Sequence, residues 1–233
     1  MRARAAAAVA VLGIAVAAAY ALKRFYSAAS ADDLRWILAP TTWLVEVAGG
    51  HRFDRTGAGY LSGELRFLIA PACAGVNFLL AAFGALVLGF VRPARPPLQN
   101  VLILPASAAA AYVATLLANA ARILVAVELW VHRVSFGWLT GARLHELAGV
   151  VIFLGALLLL FAGARRVARA PVRAWVALVL YAGVTILVPL VRGAHRGAGF
   201  WTHAALVAGA LLAVAGASAI VRRVARRPDT APA

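Results

Sequence analysis

Leu68-Ile69-Ala70-Pro71-Ala72-Cys73-Ala74-Gly75-Val76-Asn77-Phe78 joins two kinds of chain. Upstream, Leu61, Gly63, Leu65, Phe67 and Ile69 alternate with Ser62, Glu64, Arg66 and Leu68, a period of two that predicts a strand. Downstream, an apolar run without a charge reaches residue 91. Such a run is what a helix needs to cross about 30 Å of hydrocarbon. Proline suits a first helical position, because the N–H it lacks has no partner there anyway. The join therefore predicts Cys73 in the first turn of a transmembrane helix, at the water–lipid boundary. A helix start is a setting that favours a reactive thiolate. The plain alternative is an inert thiol used for packing.

Working outward, the rest of the chain has the same character. Of its 233 residues 64% are hydrophobic, and the mean hydropathy is +0.89. Soluble domains sit nearer about 45–50% apolar, so these numbers predict an integral membrane protein. A net charge of +15 would suit a nucleic-acid partner, but the basic residues lie between apolar runs, which is the pattern of membrane orientation. No nucleic acid is expected. A single cysteine excludes an internal disulfide and a thiolate-rich metal site. The excess of Ala and Arg over one Lys points to a GC-rich bacterial genome.

Six apolar spans are expected, at about 5–22, 74–91, 98–118 (running on towards 131), 145–163, 173–191 and 201–221. The first, after Met1-Arg2-Ala3-Arg4, resembles a signal peptide but reads as an uncleaved helix, since more spans follow. The expected fold is an all-α polytopic bundle, one integral membrane domain over 1–233. A cytoplasmic N-terminus gives the inside segments 12 arginines, from Arg2 to Arg227 and including Arg173 and Arg226, against Asp229 alone. The outside segments then hold 11 basic and seven acidic residues. This asymmetry predicts both termini in the cytoplasm of a bacterial inner membrane. A loop at about 23–70 lies outside, and a core at about 71–163 carries the chemistry. Within the loop, Asp32 to Val47 is amphipathic, with Trp36 and Trp43 at interfacial depth and Pro40 as a break. Thr56-Gly57-Ala58-Gly59 reads as the turn of a small hairpin leading to Cys73.

With that topology three residues share one depth on one side. Cys73 opens the second span, Asn119-Ala120-Ala121-Arg122 ends the third, and His145-Glu146 opens the fourth. A thiolate can attack a carbonyl. His145 can take the thiol proton and return it to a departing amine. Arg122, always charged and planar, can hold an oxyanion. Asn119 and Asn77 suit helix-packing hydrogen bonds, Gly75 can admit a substrate backbone or a packed helix, and Glu146 is a supporting acid. No metal ligand set and no cofactor is called for.

Cys73-Ala74-Gly75, Asn119-Ala120-Ala121-Arg122 and His145, in this order and spacing, resemble the exosortase/archaeosortase family of membrane cysteine transpeptidases. The resemblance covers about residues 55–160 and includes the strand-like approach from Gly63 to Ile69. Ala74 stands where Ser is commonest in the family, and the chain has fewer spans than many members, like a short, exosortase K-like subfamily. The resemblance implies Cys73, Arg122 and His145 as catalytic residues. It also implies exported protein substrates ending in a short motif such as Pro-Glu-Pro, a transmembrane helix and an Arg-rich tail. Cleavage would pass through a thioester on Cys73 to an amine acceptor, at the outer face of the bilayer.

Other readings fit less well. A rhomboid-type serine protease needs a Gly-x-Ser near a helix start, and Ser62, Ser107, Ser135 and Ser218 lack that setting. A lipid phosphatase needs a second His with an orienting acid. Glu128 and His132, at i and i+4, with His145 and Glu146 are a thin basis for a metal site. A transporter component or non-catalytic scaffold using these side chains for packing would place charges deep in its spans, whereas here they lie at span ends. His51, His195 and His203 have no evident partner, and Tyr60 and Trp138 read as interfacial aromatics.

Overall fold

In a computed structural model of the chain, residues 2–135, 137, 140–169, 175–191, 193 and 196–224 are described. Trp138, Arg173, His195, Arg226, Arg227 and Asp229 lie outside the described residues. The elements run α1 (Arg2–Tyr26), α2 (Arg35–Gly49), β1 (Asp54–Thr56), β2 (Gly59–Ser62), β3 (Phe67–Ile69), α3 (Val76–Phe90), α4 (Pro97–Val131), α5 (Gly141–Ala168), α6 (Trp175–Ala182), a π-helical turn (Gly183–Leu187), α7 (Val188–Val191) and α8 (Ala198–Val224). An apolar chain in lipid has no water to satisfy its backbone, so helices are the outcome. Five of these helices are long and apolar enough to cross a membrane. The sixth expected span appears as Trp175–Val191, which is shorter and interrupted by the π-helical turn.

Helix α3 is the centre of the bundle, packed by α1, α4, α5 and α6. Its Phe78 stacks on Phe153 of α5 at 4.9 Å, and its Phe90 meets Phe161 at 6.0 Å. On α1, Ala8, Val11 and Ala15 bury against Val87 and Val91. Small side chains there let the two backbones approach closely. At the end of the bundle away from Cys73, the buried Asn100 ties the α3–α4 turn. Its amide donates to the Arg92 carbonyl at 2.8 Å and accepts from the Arg92 N–H at 3.1 Å.

Helix α4 has 35 residues, hence about 52 Å at 1.5 Å per residue, against about 30 Å of hydrocarbon. One end must therefore stand clear of the apolar layer. That overhang carries a small cap. The sheet has the order β1-β2-β3, antiparallel, with Tyr60 opposite Ile69 and Ser62 opposite Phe67. Trp130 of α4 donates its indole N–H to the Leu65 carbonyl at 3.1 Å, and Glu46 of α2 accepts from the Phe53 N–H at 2.8 Å. The expected turn at Gly57–Ala58 is present, but the alternating run from Leu61 to Ile69 is not one strand. It folds back at residues 63–66, where Arg66 takes φ 50° and the Ser62 hydroxyl accepts from the Leu65 N–H.

Pro40 does not break α2, which runs through it. A proline removes the donor for the carbonyl four residues back, here Trp36. The Tyr112 hydroxyl of α4 donates to that carbonyl at 2.6 Å, and the Trp36 and Tyr112 rings stack at 5.8 Å. The tertiary partner replaces the missing helical bond.

Candidate active site

Cys73 is not in the first turn of an α-helix. Pro71–Cys73 forms a 3₁₀ turn in which the Cys73 N–H reaches the Ala70 carbonyl at 2.8 Å. Gly75 then turns left-handed, φ 71°, and α3 starts only at Val76. A Cβ on Gly75 would stand 3.2 Å from Asn119 Cγ and 3.3 Å from Thr115 Cγ2. Glycine is thus required twice, for the positive φ and for the close approach of α4. Its small size lets the Cys73 turn press against α4.

Asn119, fully buried, is the keystone. Its amide donates to the Cys73 carbonyl at 2.5 Å, and its side-chain oxygen accepts from Arg122 Nε at 3.1 Å. Asn119 and Arg122 are one turn apart on α4, so one helical face holds both the backbone of the thiol and the guanidinium. Arg122 crosses to α5. Its stem lies against Gly149, where a Cβ would meet Arg122 Cδ at 3.5 Å. Its Cζ sits 5.5 Å from the centre of the Phe153 ring, a cation–π distance. Its Nη1 stands 3.4 Å from His145 Nε2. Arginine has donors only, so this contact is a hydrogen bond in the tautomer that presents Nε2 as acceptor. Thr140 caps α5 by accepting from the Arg143 N–H at 3.4 Å, fixing the turn from which His145 projects.

Cys73, Asn119, Arg122 and His145 therefore meet at one end of the bundle, together with Gly75. The thiol is partly exposed and has no hydrogen-bond partner among the described residues. It lines a cavity of about 1050 Å³ with Arg122 and His145, walled by Leu65, Arg66 and Phe67 below the sheet and by Trp130 and Arg133 at the end of α4. Thiol and imidazole face the same space without touching. Asn77 and Glu146 lie on the other side of the Arg122–His145 pair. Asn77 accepts from Lys23 Nζ at 2.6 Å.

Sequence reasoning missed several contributors. Tyr26, with Lys23 5.3 Å from its ring centre, brings the end of α1 to the site. The lone lysine of the chain, one turn from a tyrosine at a span end, was the available signal. Nothing in the sequence pointed to Trp130 and Arg133, which reach the cavity only because α4 overruns the span. His51 does have a neighbour, with Nδ1 3.8 Å from a Glu64 carboxylate oxygen. Glu128 and His132 pair with each other at 3.2 Å. No group of three or more His, Cys, Asp or Glu among the described residues stands ready for a metal ion.

The fold and this site define a polytopic helical bundle of membrane-protein character with a Cys–Asn–Arg–His constellation at one end. Compared with protein-family models, curated proteins and solved structures, the chain matches none.

Proposed function

We propose that this protein is a membrane-embedded cysteine transpeptidase of the exosortase type. It cleaves the C-terminal sorting signals of exported proteins and passes the acyl group to an amine acceptor. The observation that carries the reading is the Asn119 clamp. One buried side chain holds both the Cys73 carbonyl and Arg122, and Arg122 in turn meets His145, at the mouth of a cavity large enough for several residues of peptide.

The steps follow from the groups present. An extended substrate lies in the front cavity beside the free edge of β3, with its scissile carbonyl over Cys73. Arg122 leaves His145 and turns its N–H groups to the developing oxyanion, which frees the Nε2 lone pair. His145 takes the thiol proton as Sγ attacks, and gives it to the departing amine. Asn119 keeps the Cys73 backbone still throughout. Partners are exported proteins with a motif, a transmembrane helix and an Arg-rich tail, together with the lipid bilayer. The site end faces outward from a bacterial cytoplasmic membrane, and both termini lie inside.

The decisive experiment replaces Cys73 in cells that also make exported proteins ending in a shared motif, helix and Arg-rich tail. Cys73→Ala abolishes their processing while the variant stays in the membrane. Cys73→Ser is nearly as poor, since a hydroxyl needs a far stronger base. Normal processing by Cys73→Ala would make the thiol a packing residue and the protein a scaffold.

A further inference from the structure

Behind the Arg122–His145 pair lies a second cavity, of about 320 Å³. Arg122 and His145 line both cavities, but the other walls differ. The front cavity is bounded by the sheet and the end of α4. The rear one is bounded by Tyr26 of α1, Glu146 and Phe153 of α5, Val184 of the π-helical turn and Phe200 of α8. Cys73 lines the front cavity, while its neighbours Ala72 and Gly75 line the rear one. The reacting turn thus stands between two spaces that share one candidate base.

A transfer reaction needs such an arrangement. While the acyl fragment remains attached to Cys73 it fills the front approach, so an acceptor must come to the thioester by another way. The rear cavity offers one, and its chemistry selects the acceptor. Glu146 is half-buried, and no described residue forms an ion pair with its carboxylate. The Glu146 carboxylate attracts an amine, while Phe153, stacked on Phe78 and already carrying Arg122, and Tyr26, whose ring lies under Lys23, serve with Phe200 as walls. Arg122 at the inner end and the Lys23 ammonium on Asn77 disfavour a further positive charge, so the amine is neutral where it must attack. The π-helical turn supplies the wall at Val184, and such turns are frequent at functional sites.

We propose that the rear cavity is the acceptor subsite, in which a primary amine approaches the Cys73 thioester from the side opposite the peptide. This inference rests on the transpeptidase reading. The amine nitrogen bonds to the acyl carbon and the carbon–sulfur bond breaks. His145 takes the amine proton and returns it to the Cys73 thiolate. The products are an amide and the free thiol.

Cys73 is the only cysteine, so an acyl group can be placed there and followed by intact mass. The protein in phosphatidylcholine nanodiscs is treated with p-nitrophenyl acetate, and deacylation is measured against glycinamide concentration. Saturable formation of acetylglycinamide is expected. Val184→Trp, which fills the rear cavity alone, raises the half-saturating glycinamide concentration about tenfold or more, the size of a lost pocket contact. Glu146→Gln lowers the ratio of amide to acetate, and keeps the test sharp if the tryptophan variant folds poorly. A second arm uses nanodiscs containing phosphatidylethanolamine and no added amine. Acetylated lipid that falls with Val184→Trp supports the subsite and makes a headgroup its source. Deacylation that rises linearly with glycinamide and ignores both substitutions overturns the subsite. Failure of Cys73 to acetylate faster than in unfolded protein overturns the transpeptidase reading itself.

Discussion

At the scale of single residues, the site depends on hydrogen bonds that a simple charge cannot replace. Arg122 uses Nε on Asn119 and Nη1 on His145, two directions of one planar group. Lysine would supply one point charge and lose the fork. Arg122→Lys therefore lowers the turnover of a processed substrate by about 10²-fold or more, the cost of removing an oxyanion donor. A merely snorkelling arginine would tolerate lysine with little change, and a single-turnover assay separates the two. Asn119→Leu keeps the bulk but leaves the Cys73 carbonyl and Arg122 Nε without their partner. Each unsatisfied buried group costs about 1–3 kcal/mol, so this variant loses both stability and turnover. Loss of stability with full turnover per folded molecule would show that Asn119 only packs.

At the scale of elements, α2 and its neighbours show local signals settled by partners. Tyr112→Phe removes the donor to the Trp36 carbonyl, and unfolding measurements should register a loss of about 0.5–1.5 kcal/mol. Pro40→Ala restores a helical N–H to that carbonyl. In the Pro40→Ala background the same Tyr112→Phe change should cost little, because the carbonyl is already satisfied. Equal losses in both backgrounds would mean the stacked rings, not the hydrogen bond, hold α2 to α4. The link from α1 to α2 carries a pH signature. Asp33 accepts from the Ser30 N–H at 2.9 Å and from the Ser30 hydroxyl at 2.7 Å, and these bonds hold its carboxyl below the usual carboxylate range. The folded-state value is the lower one, so the contribution is full above the unfolded value of about 3.9 and is lost as pH falls through the folded value. Protection of the amides of residues 30–34, corrected for the intrinsic pH dependence of exchange, should fall as pH drops below about 3.9, and Asp33→Asn should remove that dependence.

At the scale of the whole molecule, one topology puts the site on one face. Chain direction alternates from α1 through α3, α4 and α5, so the end of α1, the start of α3, the far part of α4 and the start of α5 share an end. The arginines choose which side of the membrane that end faces. Reporter fusions near residues 94, 139 and 168 should report inside, outside and inside. An outside signal at 94 or 168 would turn the site to the cytoplasm and remove exported proteins as substrates.

Much of this was legible in the chain itself. Apolar runs of membrane length can only become helices, since no other open structure satisfies its backbone in lipid. The positions of Cys73, Arg122 and His145 at span ends brought them to one depth once the spans were counted. Tertiary structure decided the rest, because it depends on groups distant in sequence. Asn119 placed the Cys73 turn, and Gly75 left no room for a side chain between them. The 3₁₀ turn at Pro71–Cys73 separates the cysteine from α3. Tyr112 kept α2 whole across Pro40. The overhang of α4, fixed by Trp130 on the sheet, made the front cavity, and the meeting of α1, α3, α4, α5, the Trp175–Val191 helix and α8 made the rear one. Periodicity reports what one segment must bury. It carries no information on which side chain from another segment will satisfy the groups left over.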